Sequence, residues 1–287
     1  MASQTSTSAS ALAPLPTDFL VGPPKDLAPR ISKIDFAETE LPEYAGLYAI
    51  VIDNIFTIQE CEELVCLAEA QTNGKGWERA MVNIGGGRQA MYEDTRKCGR
   101  IIFDSPELAS RMWERVAPLI PEILRLEGEA QVMGWGPVKR GEVWKCVGLN
   151  ERLRFLKYVG GEFFKAHCDG CYEAPTKERS YYTLHLYLND TEHQPSHSES
   201  NSEPLVGGAT TFFGDTMKTR LDVEPKIGRV LVFQQRGLLH AGDDVVSGVK
   251  LTLRTDVMYE KSGEVAQKRE VVKDVAKKQP AWVNRKS

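Results

Sequence analysis

Two segments near the start of this chain place apolar residues at helical spacing, and the second half then switches to alternation. A short β-rich run, residues 47–53, comes first. Ile58, Cys61, Leu64, Val65 and Ala68 then share one helical face, behind Thr57 and Glu60 at capping-box spacing. Ser105, Pro106 and Glu107 offer an N-cap, a first-turn proline and a first-turn acid for a second helix. Leu108, Met112, Trp113 and Val116 form its apolar stripe, and Pro118 and Pro121 limit it.

From about residue 152 the pattern predicts strands at 152–159, 182–189, 210–213, 230–234 and 251–259, separated by Gly and Asp turns. Short strands in that succession suit a closed or double-sheet β core. Leu184, Leu186 and Leu188 share one face, with Thr183, His185 and Tyr187 on the other. Lys250, Thr252 and Arg254 likewise oppose Leu251 and Leu253. Strands with one apolar and one polar face are what a barrel with a polar lumen needs.

Outside these segments the pattern weakens. Residues 1 to about 30 are rich in Ser, Thr, Ala and Pro without periodicity and read as a disordered arm. Residues 74–99 hold many glycines and charges, including Gly85-Gly86-Gly87-Arg88, but no phosphate-loop pattern; they are expected to be a mobile connection. The polar stretch 190–204 is expected to be a loop.

At 287 residues and 41% hydrophobic, the chain can bury one large core or two small ones. A net charge of −4 and a pI near 5.9 give no global basic field for nucleic acid or an anionic membrane. No apolar run approaches the ~18 residues of a spanning helix, and no secretory pattern precedes Lys25. Six scattered cysteines favour free thiols, so a cytoplasmic or nuclear location is expected.

The chemistry concentrates at His167-Cys168-Asp169 and His240. An extended His-x-Asp turns an imidazole and a carboxylate to one side, and a distant second histidine completes a two-histidine, one-carboxylate set. That set leaves three octahedral positions open and suits non-haem Fe(II) oxygenases. An H-x-D alone is weak; joined to His240-Ala-Gly and to Lys250 ten residues on, it is strong.

The ordered blocks resemble the iron(II)- and 2-oxoglutarate-dependent dioxygenases, in particular the prolyl 4-hydroxylase-like branch. Tyr158, Gly161, His167 and Asp169 match one block, and Arg179, Thr183 and Tyr187-Leu188-Asn189 a second. Gly207, Gly208, Thr210 and Phe212 match a third, and Gly228, Phe233, His240, Gly242, Gly248 and Lys250 the last. The similarity runs over roughly residues 47 to 260. It implies a mainly β fold with flanking helices (α+β): a double-stranded β-helix, or jelly-roll, buttressed by N-terminal helices. The expected organisation is an arm at 1–40, a dioxygenase domain at 41–262 and a charged tail at 263–287. Within the domain, 41–130 is the helical support and 131–262 the jelly-roll core.

By the same resemblance, Fe(II) binds His167, Asp169 and His240, and 2-oxoglutarate and O2 are cosubstrates, with ascorbate as an optional reductant. Lys250 holds the far carboxylate of 2-oxoglutarate, with Tyr187 and Thr183 as hydroxyl donors. Arg254 faces the same way and competes for that role. Tyr158 is expected near the iron as an orienting hydroxyl. The implied activity is hydroxylation of prolyl residues in a peptide or protein. The alternatives are a small-molecule hydroxylase and a catalytically silent metal-binding scaffold; a zinc hydrolase would want a water-activating base that no spacing provides.

Other candidates have plainer explanations. His185 is expected in the cavity wall, and His193-x-x-x-His197 lies in a polar loop where the spacing has no geometric force. Cys168 and Cys171 lack a following helix N-terminus to lower a thiol pKa. Phe155, Phe163 and Phe164 are expected to fill core, and the Lys/Arg-rich end with Trp282 to be a solvated or packed tail.

Overall fold

The first helix, Ile58–Ala70, begins as its spacing predicts: the Thr57 hydroxyl accepts from Glu60 N at 3.1 Å while the Glu60 carboxylate accepts from Thr57 N at 2.8 Å. Each satisfies a backbone donor the helix itself cannot. The second, Pro106–Val116, starts from Ser105, whose hydroxyl accepts from Leu108 N at 3.2 Å. Arg115 sits buried on its apolar side and forks onto Glu60 at 2.7 and 2.9 Å, tying the two helices together. This is a computed structural model that describes residues 15–24, 26–83, 88–194 and 203–265.

Both helices cover one face of an antiparallel sheet. From one edge it runs Arg30–Lys33, Ala49–Asp53, Val230–Gln234, Arg179–Tyr187, Val249–Val265, Arg152–Val159, Gly99–Asp104 and Glu78–Arg79. Glu142–Leu149 pairs with the far half of the long strand Val249–Val265. Leu184, Leu186, Leu188, Leu251 and Leu253 pack with Leu64, Val65, Leu108 and Met112 in one core cluster. Alternation therefore turns Thr183, His185, Tyr187, Lys250, Thr252 and Arg254 the other way.

A second antiparallel sheet faces them, in the order Arg220–Val223, Thr210–Phe213, His240–Ser247, Glu162–His167 and Arg96–Lys97. The chain is mainly β, its two sheets forming a jelly-roll with helices on one side. Phe212, Leu231, Phe233, Leu238 and Tyr187 close one end of the interior. Among the described residues no helix is long and apolar enough to cross a membrane.

The N-terminal expectation needs correction from residue 15 onward. Arg30–Lys33 pairs with Ala49–Asp53 as an edge strand, and Leu20 is 2% exposed within the main core. All four strand residues are exposed, so no apolar alternation marks them in the sequence. What holds them is the backbone ladder and Asp53, whose buried carboxylate takes Arg30 at 2.7 Å and Arg229 at 2.7 Å. Residues 1–14 lie outside the described residues.

Residues 74–99 also differ from a mobile connection. Glu78–Arg79 extends the main sheet, Val82–Asn83 pairs with Gln89–Ala90, and Arg96–Lys97 pairs with Phe163 and Phe164. Backbone pairing decides here, and glycine content does not report it. Gly85, Gly86 and Gly87 lie outside the described residues. So do 195–202, His197 among them, and the tail beyond 265.

Candidate metal centre

His167 ends one strand of the second sheet and His240 begins its neighbour, and the two are direct cross-strand partners. Their rings are 4.4 Å apart. Asp169 lies just past the strand, yet Oδ1 comes 3.7 Å from His167 Nε2 and Oδ2 3.8 Å from His240 Nε2. The ligand atoms of the three residues all lie within 4.8 Å of one another.

Both imidazoles are turned the same way. His167 Nδ1 donates to Lys165 O at 2.8 Å and His240 Nδ1 to Leu238 O at 3.1 Å. With the proton fixed on Nδ1, each Nε2 lone pair faces Asp169, the tautomer a metal ligand needs. Burial, with His167 beside it, lowers the His240 pKa to about 4, so it stays neutral. Burial would raise the Asp169 carboxyl, but Arg254 and the two imidazoles hold it well below the usual range. Two imidazoles that each turn Nε2 inward and one carboxylate form a donor set that fits a divalent transition metal.

Aromatic rings fix this geometry. Phe164 stacks on His167 at 3.7 Å and Phe233 meets His240 edge-on at 4.7 Å, so Phe164 does more than fill core.

Deeper in the interior, Lys250 is 1% exposed and has no ion pair among the described residues, Asp243 and Glu224 acting on it only at longer range. Its Nζ lies 5.2 Å from the Tyr158 ring centre and 5.9 Å from that of Tyr187. Burial lowers its pKa to about 8. Gly208 makes room: a Cβ there would stand 3.0 Å from Lys250 Cδ. Two more polar atoms on this face are buried without a partner, His185 Nε2 and Thr252 Oγ1. His185 stacks on Tyr187 at 4.9 Å, and burial, then Lys250 and Arg254, keep it neutral. A buried cation and two orphaned polar atoms make a cradle for a carboxylate.

Three residues expected beside the cosubstrate are engaged elsewhere. The Thr183 hydroxyl donates to Asp169 Oδ2 at 2.6 Å. The Arg254 guanidinium lies 3.0 Å from Asp169 Oδ1 and 3.2 Å from Asp256 Oδ1. The Tyr187 hydroxyl donates to Thr210 Oγ1 at 2.6 Å, which leaves its ring, not its proton, facing Lys250. Tyr158 does line the cavity, its hydroxyl beside Cys98 and Arg96.

Sequence reasoning missed the support behind Asp169. Asp256 takes Arg154 at 3.1 Å and Gln235 Nε2 at 3.0 Å, and Gln235 accepts from Ser180 at 2.9 Å. The i, i+2 relation of Arg254 and Asp256 was the available signal; nothing marks Gln235. Cys168 and Cys171 are free, and burial raises both thiols, Cys168 to about 12, so neither is activated. His193 is held by Asp190 at 3.0 Å.

On its open side Asp169 borders a cleft of about 480 Å³ lined also by Met133, Cys171, Arg179, Tyr181 and Arg236. Asp169 thus stands beside a space large enough for a substrate group.

The fold and the ligand cluster set the comparison with known proteins: residues 153–255 match the family model of the 2OG-Fe(II) oxygenase superfamily. Among solved structures, the chain is similar to a Pseudomonas putida prolyl-4-hydroxylase at 17% identity and a TM-score of 0.47, covering 78% of this chain and 99% of that one. It is similar to a viral collagen prolyl hydroxylase from Paramecium Bursaria Chlorella virus-1 at 19% identity and 0.43, covering 74% and 97%. A prolyl hydroxylase from Trichoplax adhaerens, in complex with a hypoxia inducible factor peptide fragment, gives 12% and 0.47, covering 77% and 88%. None of the curated proteins compared matches the chain.

Proposed function

We propose that this chain is an Fe(II)- and 2-oxoglutarate-dependent oxygenase that hydroxylates a prolyl residue in a peptide or protein. The observation that carries the oxygenase reading is the pairing of two features in one interior. The His167, Asp169 and His240 cluster stands near the mouth, and Lys250 lies deeper without an acid partner. A metal-binding scaffold has no use for a buried, uncompensated lysine, whereas a cosubstrate with a distal carboxylate does.

In this reading His167, Asp169 and His240 hold the iron, and Lys250 binds the distal carboxylate of 2-oxoglutarate by a charge-assisted hydrogen bond. Thr183 and Arg254 orient Asp169, and Phe164 and Phe233 hold the imidazoles. Iron and cosubstrate together supply the oxidising power: 2-oxoglutarate becomes succinate and CO2 as one oxygen atom of O2 enters it and the other enters a substrate C–H bond. The surrounding apolar residues exclude water from that event.

The prolyl assignment rests on the four ordered motif blocks, and the open cleft beside Asp169 supports a peptide-sized group. The test combines succinate formation with mass-spectrometric mapping of +16 on proline-containing peptides incubated with enzyme, iron and 2-oxoglutarate. Succinate with +16 on proline is expected. Turnover of a small metabolite with none on any peptide would overturn the prolyl reading and leave the oxygenase. Metal binding without succinate under any condition would leave only the scaffold.

A further inference from the structure

Asp169 is gripped by two unlike donors. Oδ2 accepts a neutral hydroxyl from Thr183 at 2.6 Å, while Oδ1 faces the Arg254 guanidinium at 3.0 Å. Arg254 is itself fixed: Asp256 Oδ1 takes the same Nη2 at 3.2 Å, and Arg154 and Gln235 hold Asp256 in turn. Arg254 stands opposite Arg154 and His185 on adjacent strands, so its position is set by sheet register and not by a flexible loop.

A cation in that place is a poor device for raising metal affinity. It withdraws charge from the carboxylate and repels a divalent ion directly. Its effect falls instead on how the carboxylate binds. With both oxygens free, an Asp beside two histidines can chelate a metal with both, and four protein donor atoms leave an octahedral ion only two other positions. A cosubstrate that chelates takes two, leaving none for oxygen.

We propose that Arg254 is a positioning residue that holds Oδ1 of Asp169 away from the metal, making the carboxylate a one-oxygen ligand through Oδ2 and keeping a third coordination position open. The inference rests on the metal site proposed above. It assigns Arg254 a role separate from the cosubstrate anchor, and Thr183 the complementary role of orienting the binding oxygen.

Mn(II) tests this without turnover, because solvent-proton relaxation by bound Mn(II) reads the number of water ligands. Wild type should show about three waters. Arg254→Met should bind Mn(II) as tightly or more tightly, lose about a third of the relaxation per bound ion, and bind 2-oxoglutarate at least ~10-fold more weakly once metal-loaded. Arg254→Lys, which restores a cation, should recover the water count. Asp256 keeps Arg154 and Gln235 in both variants, so the fold is retained; circular dichroism checks it, and the lysine variant stands alone if the methionine one does not fold. An unchanged water count in Arg254→Met, or metal affinity lowered ~10-fold with no change in relaxation, overturns the proposal. Absence of Mn(II) binding by wild type would instead defeat the metal site itself, so the two failures are distinguishable.

Discussion

Replacing Lys250 with methionine should make the cosubstrate-free protein more stable while removing its grip on 2-oxoglutarate. Lys250 is 1% exposed, its charge lies over the faces of Tyr158 and Tyr187, and Asp243 and Glu224 offset only part of the burial from beyond ion-pair distance. Burial lowers its pKa from 10.5 to about 8, a difference that corresponds to roughly 3 kcal/mol of desolvation borne by the charged fold. Because the folded-state pKa lies below the unfolded one, the fold binds fewer protons than the unfolded chain between about pH 8 and 10.5. Stability therefore rises with pH across that window, and the deficit is fully present below it. Methionine has a similar shape and no charge, so Lys250→Met should gain about 1–3 kcal/mol at pH 7, worth about 2–4 °C in melting temperature for each kcal/mol.

The binding side has the opposite sign. The variant leaves a desolvated carboxylate without its cation, which costs about 3–5 kcal/mol and weakens 2-oxoglutarate roughly 100-fold or more. In wild type, the cosubstrate requires the protonated amine, so its affinity should fall by about tenfold per pH unit above pH 8. Thermal melts with and without 2-oxoglutarate, at pH 7 and 9, read all three quantities. A variant that melts lower without cosubstrate, yet still gains stability from 2-oxoglutarate as wild type does, would refute the reasoning, for Lys250 would then be a structural residue.

Asp169→Ala and His240→Ala should each weaken Mn(II) by at least ~100-fold, beyond what losing an outer partner does; titration by electron paramagnetic resonance reads this, and unchanged affinity in both would remove the metal assignment. Thr183→Val deletes the 2.6 Å donor to Asp169 and should weaken Mn(II) by about 10–100-fold in the same titration. Thr57→Ala removes the cap of the first helix and should lower stability by about 1 kcal/mol in urea unfolding, with metal affinity unchanged. Gly228→Ala should destabilise more, because φ is +73° and the added Cβ would lie 2.2 Å from Phe56 O; equal stability to wild type in the same experiment would show that the turn relaxes.

What the sequence makes legible here is the face on which a residue lies, and what it leaves open is the partner met there. Alternation puts Lys250, Thr252 and Arg254 on one side of a strand, and the structure keeps them there. It cannot separate Lys250 from Arg254 as cosubstrate anchor, because that depends on which acids come within reach in the fold. Arg254 meets Asp256 two residues on along its own strand and Asp169 from the segment just past His167, whereas Lys250 has no acid at ion-pair distance among the described residues. Thr183 follows the same logic, its hydroxyl turned to Asp169 by a loop that periodicity does not describe. Arg30–Lys33, exposed at every position, has no periodic signal to give.

The two Arg–Asp matches also say something about the ligand. Arg154 and Arg254 are balanced by Asp169 and Asp256 near the metal ligands, which leaves Lys250, deeper in the lumen, and Arg96, beside the Tyr158 hydroxyl, without an ion-paired acid among the described residues. A metal bound at the mouth would add positive charge at the other end. A neutral or singly charged ligand would satisfy one end and leave the other desolvated and unpaired, which is costly. A molecule with an anionic chelating group at one end and a carboxylate at the other answers both, and 2-oxoglutarate has that form. The uncharged donors between those ends, His185 and Thr252, are then placed to meet its polar atoms without adding charge that the dianion does not need.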